Sequence, residues 1–379
     1  MIAVIEPNSR SFEHAKFNAA LLDLVACAFP EQVIRFISRK EHADQVRGVS
    51  FSQGPAAPDR TVYITTAGYS PRWSKVGALF RGGQVLFQLR MARCGGASRV
   101  IFSSAGGIAI RMVELALSTG WLRCPVYSVM HGELCELLTE GGAGSLATAV
   151  KRPLHRLHRP ILLGASIRSN LPAAFEGSFR NAVVIEHPYH WAMSAPKSKN
   201  GFEKITIGVL GNLSTRLQNT CHWADRLGDL RRKIRFSCVG FVSDRNSWPD
   251  AERLFMDDFR KPLSHLEFAE RASNCNFFIS LDNPDSYKLR ASGTFMDSLS
   301  FLTPMFALRN CYIAECERRH GDIGYFGDSL DELLTIAHIE FERFPTERYT
   351  RMLDMMRSAR SCFDPVAQAH NLRADLEKC

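Results

Sequence analysis

SLDNPDSYKLRASGTFMDSLSFLTPMFAL, Ser280 to Leu308, is the stretch on which the reading of the fold turns. Phe277, Phe278, Ile279 and Leu281 make a short apolar run that reads as a buried strand. Phe295, Leu299 and Leu302 then recur at helical spacing, Pro304 stops that helix, and a second apolar strand runs to Leu308. Between the first strand and the helix stand Ser292, Gly293 and Thr294. A helix start leaves backbone N–H groups without intrahelical acceptors, and its dipole favours an anion. Lys288 and Arg290 add cations just ahead of it. The combination reads as a seat for a diphosphate.

Working outward, the first half alternates strands and helices. Strands are expected at Ile2–Glu6, Val33–Ser38, Thr61–Thr65, Val100–Ser103, Val126–Met130, Ile161–Leu163 and Val183–Glu186, with helices such as Glu13–Ala28, Val76–Arg93 and Gly107–Leu117 between them. Such alternation implies a parallel sheet covered by helices. Residues 193–202, with Pro196, Asn200 and Gly201, read as a linker. Alternation restarts with a strand at Ile205–Leu210, a helix at Cys221–Arg231, a strand at Ile234–Phe241, a helix at Leu263–Ala272 and a strand at Asn276–Leu281. Tyr325 marks a later strand, followed by a helix at Asp328–Phe341. The expected layout is α/β, with Rossmann-like domains at 1–192 and 203–360. Glu347–Ser361 and Pro365–Lys378 read as C-terminal helices.

A chain of 379 residues with 45% hydrophobic residues suits two domains with ordinary cores. Its apolar runs are far shorter than the ~18 residues of a membrane span. No basic segment precedes the first apolar run, which reads as a core strand rather than a secretory signal. The eleven cysteines are scattered without a CxxC pair and read as reduced thiols of a cytoplasmic protein. Cys311 and Cys316 lack the matching second pair of a zinc site. The net charge of +8 is concentrated at Lys151–Arg159 and Arg231–Arg235. The first cluster interleaves Leu154 and Leu157 with cations and suits an anionic membrane surface; a solvated basic face is the plain alternative. No zinc-finger, RNP or helix-turn-helix pattern points to nucleic acid.

The Ser280–Leu308 stretch resembles the donor-binding segment of GT-B glycosyltransferases, in particular the retaining family 4 (group 1) bacterial enzymes. Those enzymes carry an acid seven residues before a proline, as Asp297 and Pro304 stand here. The resemblance implies two Rossmann-like domains facing each other across a cleft, with residues 361–379 packing back on the first domain. It also implies that Asp297 holds the ribose of a nucleotide sugar. A second family glutamate lies eight residues earlier, in E-x7-E, where this chain has Leu289. The loop Gly211-Asn212-Leu213-Ser214-Thr215-Arg216 matches the family's diphosphate loop: Gly211 permits close approach and Arg216 can bind phosphate bidentately. An ordinary strand-to-helix turn is the alternative. Gly240 resembles the family's turn glycine beneath the nucleotide, a plain turn glycine being the alternative. Tyr287 and Arg290 flank the phosphate seat, where Arg290 would neutralise the leaving diphosphate or else pair with Asp282 or Asp285.

His131, after the strand VYSVM, resembles an acceptor-side histidine. It would deprotonate an acceptor hydroxyl, orient a sugar, or simply close a strand end. Glu133 is a second candidate base. The loop Asn8–Asn18, with Ser9, Arg10 and His14, matches an acceptor-facing loop. His187 and His190, separated by Pro188, read as a hinge rather than a metal site. No DxD manganese motif is evident, and Asp257-Asp258 reads as charged helix surface. No cofactor or metal is expected. The function implied is a cytoplasmic glycosyltransferase, peripheral on the inner membrane. It would move a sugar from a nucleoside diphosphate sugar to a glycan or lipid-linked acceptor in bacterial surface polysaccharide synthesis. Two other readings stay open: a nucleotide-sugar epimerase on the same fold, and a degenerate, non-catalytic binding protein.

Overall fold

A computed structural model describes residues 1–7, 14–53, 60–66, 75–139, 144–191, 204–213 and 216–378, the side chains of 50–53, 75 and 76 excepted. The chain divides into two compact units. One comprises Met1–His190, Lys288–Ala291 and Cys362–Cys379, and the other Trp191–Tyr287 and Ser292–Ser361. The expected linker at 193–202 lies outside the described residues.

The first unit is built on a parallel sheet of β1 (Ile2–Ile5), β2 (Ile34–Arg39), β3 (Thr61–Thr66), β4 (Arg99–Phe102), β5 (Val126–Met130), β6 (His158–Leu162) and β7 (Val183–Val184). Their order is β3-β2-β1-β4-β5-β6-β7. Ile2, Ala3, Val4 and Ile5 are fully buried, as a central strand covered on both faces requires. The strand order reverses between β1 and β4, and in open α/β sheets the carboxyl ends at such a reversal form the ligand site. The helix Pro365–Glu377 packs on the helix Ala15–Ala28, buries Leu372 and Leu376, and accepts a bond from the Tyr127 hydroxyl at the Leu376 carbonyl, 2.9 Å. Asp364 caps that helix and Pro365 opens it.

The second unit has β8 (Ile205–Asn212), β9 (Ile234–Phe241), β10 (Phe277–Ser280), β11 (Met305–Leu308) and β12 (Tyr325–Gly327), all parallel, in the order β12-β11-β10-β8-β9. Its reversal falls between β8 and β10. Phe277, Phe306, Tyr325 and Phe341 fill the core beneath this sheet.

Some local expectations differ. The helix expected at Cys221–Arg231 runs Leu217–Asp225, and a 3-10 turn Gly228–Lys233 follows. Asp257 does not lie on a helix, because the helix Trp248–Leu254 ends before it; its carboxylate accepts from Arg235, Ser237 and the Cys238 amide. All described cysteines are free, and burial pushes the Cys238 thiol up to about 12.

Candidate active site

The decisive stretch folds as read. β10 leads through a short 3-10 turn, Pro284–Tyr287, to the helix Gly293–Phe301, and β11 follows. The buried Ser292 is the N-cap, its hydroxyl accepting from the Phe295 amide at 3.2 Å and meeting the Thr294 hydroxyl at 3.0 Å. With Phe295 N–H bound to the cap and Met296 N–H to the Ser292 carbonyl, the first-turn amides that helix geometry leaves over are those of Gly293 and Thr294. Gly293 is exposed, and a side chain there would meet nothing within 4 Å. Asp297, half-buried, follows Gly293 by one helical turn and so shares its face.

The end of β8 converges on this helix start. Gly211 has φ +80°, a left-handed backbone that suits glycine, and a Cβ there would sit 3.8 Å from the Thr294 methyl. Gly240 faces Gly211 across the β8–β9 register, and a Cβ on it would strike the Gly211 carbonyl at 1.9 Å. In the structure Gly240 thus lets two strands approach. Asn212, exposed at the end of β8, accepts from the Ser243 hydroxyl at 3.2 Å. Ser214 and Thr215 lie outside the described residues.

Arg216 and Tyr287, expected at the phosphate seat, meet in one polar cluster around Asp282. Arg216 is 9% exposed. Its Nη1 donates to the Leu210 carbonyl (3.1 Å) and the Ser280 hydroxyl (3.2 Å), and its Nε lies 3.2 Å from Asp282 Oδ1. That last contact has ion-pair distance without hydrogen-bond alignment. Asp282 Oδ2 also accepts from Ser280 (2.7 Å) and from the buried Tyr287 hydroxyl (3.2 Å). These side chains lock the carboxyl ends of β8 and β10 together at the strand-order reversal. Asp282, expected as an alternative partner of Arg290, belongs to this network, which sequence reasoning missed. Its only signal is a serine and an acid two residues apart at a strand end.

Lys288–Ala291 belongs to the first unit. Leu289, where the resembling family has glutamate, is fully buried in that unit's hydrophobic core. Arg290 lies beside Gly132, its Cδ 3.3 Å and Nη1 4.0 Å from where a Cβ of Gly132 would stand. This places the guanidinium next to the loop that carries His131 and Glu133.

His131 closes β5. Its Nε2 is 3.0 Å from the Ser103 carbonyl, just past β4. A carbonyl can only accept, so Nε2 carries the proton and Nδ1 holds the free lone pair of the neutral ring. Phe17 meets the ring edge-on at 4.2 Å, His14 stacks on it at 4.7 Å, and His187 stands at 6.3 Å. Desolvation, then the neighbouring His14 and His187, hold the His131 pKa well below the ordinary histidine value; the Ser103 bond opposes this. Sequence reasoning had placed His14 on an acceptor loop and His187 at a hinge, without bringing them together. His190 instead pairs with Asp23 at 3.0 Å, so the two histidines of the EHPYHW segment serve different partners.

Glu133 accepts from the Ser104 hydroxyl at 2.8 Å, while its second oxygen is buried without a hydrogen-bond partner. Behind them, the fully buried Glu6 accepts from Ser103 (3.0 Å) and Asn18 (3.3 Å), and Asn18 meets His42 at 2.7 Å. These groups gather at the carboxyl ends of β1, β4 and β5. Ser9 and Arg10 lie outside the described residues.

The Lys151–Arg159 cluster is not an amphipathic helix: it is a turn leading into β6. Leu154 and Leu157 pack against the core, and Arg159 donates to the Asn181 and Asp375 carbonyls. The buried His158 is held between Glu114 (2.7 Å) and Ser128 (2.8 Å). Only Lys151, Arg152 and Arg156 of its charged side chains remain exposed. Both leucines are thus half-buried. Among the described residues no helix is long and apolar enough to cross a membrane.

No protein-family model matches the chain, and no curated protein matches it. Solved structures do. HepE of Anabaena, in complex with UDP and glucose, is 14% identical with TM-score 0.65, and the match covers 100% of this chain and 99% of that one. Sucrose-phosphate synthase of Thermosynechococcus elongatus is 10% identical with TM-score 0.67, covering 100% and 98%. WaaG, a glycosyltransferase involved in lipopolysaccharide biosynthesis, is 10% identical with TM-score 0.63, covering 99% of each chain. The chain therefore has the GT-B fold of glycosyltransferases, over its whole length.

Proposed function

We propose that this chain is a group 1 glycosyltransferase that moves a sugar from a nucleoside diphosphate sugar to a hydroxyl of a glycan or lipid-linked acceptor. The observation that carries the reading is the meeting of the Gly211 turn with the Ser292-capped helix start, with exposed Gly293 and Asp297 on one face. The Gly293 and Thr294 amides receive the diphosphate, and Asp297 accepts from the ribose hydroxyls. Arg290, three residues ahead of Gly293 in the chain, offsets charge as the anomeric C–O bond to the diphosphate breaks. His131 Nδ1, unprotonated near neutral pH, takes the acceptor hydroxyl's proton as the new C–O bond forms. Neither a metal nor a cofactor enters this scheme.

HepE holding UDP and UDP-glucose makes uridine the first base to try, and the description of WaaG supports a surface-polysaccharide pathway. On this reading the protein works in the cytoplasm, at the inner membrane face. The test is a thermal-shift panel of UDP, GDP, ADP, CMP and their sugar conjugates. Selective stabilisation by one nucleoside diphosphate is expected. No shift at millimolar ligand with a folded sample would favour the degenerate binding protein, for which the apolar Leu289 is the specific observation.

A further inference from the structure

The helix Lys75–Cys94 carries four cations, Lys75, Arg81, Arg90 and Arg93, and no aspartate or glutamate in twenty residues. Val85, Leu89 and Ala92 turn inward to the core. Leu79, Phe80 and Phe87 turn outward at 79%, 53% and 53% exposure, with the exposed Arg90 on the same side. A globular helix normally shows polar residues on its outer face. This one shows large apolar side chains set among cations. The neighbouring helix Gly107–Ser118, whose Met112 packs against Gly82, adds exposed Leu115 (51%) and Arg111. Its one acid, Glu114, is spent inside: Oε1 meets His158 and Oε2 accepts from the His155 amide. The exposed Lys151, Arg152 and Arg156 come next in this unit, alongside His155.

We infer that the face formed by Lys75–Cys94 and Gly107–Ser118 docks on an anionic lipid surface. Basic helices with an aromatic and aliphatic face lie in the headgroup plane, and binding adds apolar burial to attraction for anionic lipid. Charge complementarity selects this occupant, since two adjacent helices present cations and no unpaired carboxylate. The inference goes beyond the transfer reaction and stands without it. It replaces the leucines of Lys151–Arg159 with Leu79, Phe87 and Leu115 as the apolar contact.

The experiment is co-sedimentation of the full chain with vesicles of phosphatidylcholine alone or mixed with phosphatidylglycerol. Variants Leu79→Ser/Phe87→Ser and Arg90→Gln are run in parallel, with thermal melts to confirm folding. Binding should require phosphatidylglycerol and weaken with salt. It should fall roughly ten-fold or more in the double serine variant and about five-fold in Arg90→Gln. UDP-induced stabilisation should be unchanged in both variants, which separates this inference from the donor-site reading. Absence of binding to phosphatidylglycerol vesicles at low salt, or equal binding by folded variants, would overturn it. Concentration-dependent self-association that the serine variant abolishes would overturn it too, assigning the face to a second copy.

Discussion

Asp282→Ala removes the carboxylate on which the ends of β8 and β10 converge. Its side chain is 12% exposed and that of Arg216 10%, so the cation is left in a site with little water. Breaking a buried pair by deleting one partner costs about 3–5 kcal/mol. The lower end applies here, because Arg216 keeps the Leu210 carbonyl and the Ser280 hydroxyl and its Nε contact with Asp282 is poorly aligned. About 3 kcal/mol corresponds to a melting shift of roughly 6–12 °C in a unit of this size. A double-mutant cycle with Arg216→Met, followed by urea unfolding, should show a coupling of about 1–3 kcal/mol, since Arg216→Met removes the stranded charge. Asp282→Ala within about 1 kcal/mol of the parent, with coupling near zero, would refute the buried-pair reasoning. Nucleotide binding supplies a second readout: Arg216→Met should weaken it no more than Asp282→Ala does. A loss confined to Arg216→Met would return that residue to the diphosphate.

Three further outcomes are expected. Asp297→Ala should weaken binding of the preferred nucleotide roughly ten- to hundred-fold by titration calorimetry, as befits loss of bonds to a charged acceptor; unchanged affinity would remove it from the donor seat. Leu289→Glu should destabilise the fold by more than about 4 kcal/mol without improving turnover, because the family's glutamate would be forced into an apolar core; a stable, more active variant would contradict this. For His131 the folded pKa is depressed, so the unfolded chain binds its proton first. Stability is full above the ordinary histidine value of about 6.5 and falls below it by about 1.4 kcal/mol per pH unit. His131→Gln should flatten that slope below about pH 6.5, and parallel stability curves for parent and variant would show that the ring is not held neutral.

The strands legible in the sequence were those whose apolar runs are buried on both faces, such as β1, β5 and β10, because parallel strands announce themselves by continuous hydrophobicity. β6 begins three residues earlier than read, since His158 looks like a surface residue until Glu114 and Ser128 satisfy its ring. The alternation called for a helix between β2 and β3, and Lys40–Gln53 supplies it, but its glycine and serines blur the helical period that would have bounded it. In the candidate site, local motifs carried over: the cap, the glycine at helix start and the acid one turn on all sit within one short stretch. The tertiary pairings did not. Arg216 was read from its residue type alone, and its ion-pair distance to Asp282, far along the chain, had no local signal. Likewise His14, His131 and His187 meet only because the segments that carry them lie at the carboxyl ends of the strands of one sheet.

The most direct measurement is radiolabelled sugar transfer from each of the common nucleotide sugars, with and without a bacterial lipid-linked oligosaccharide extract, while nucleoside diphosphate release is followed. One donor should give diphosphate release and labelled glycan together, both dependent on the extract and both lost in Asp297→Ala. Diphosphate release with free or epimerised sugar and no need for the extract, or no turnover of any donor, would contradict transfer as this protein's function.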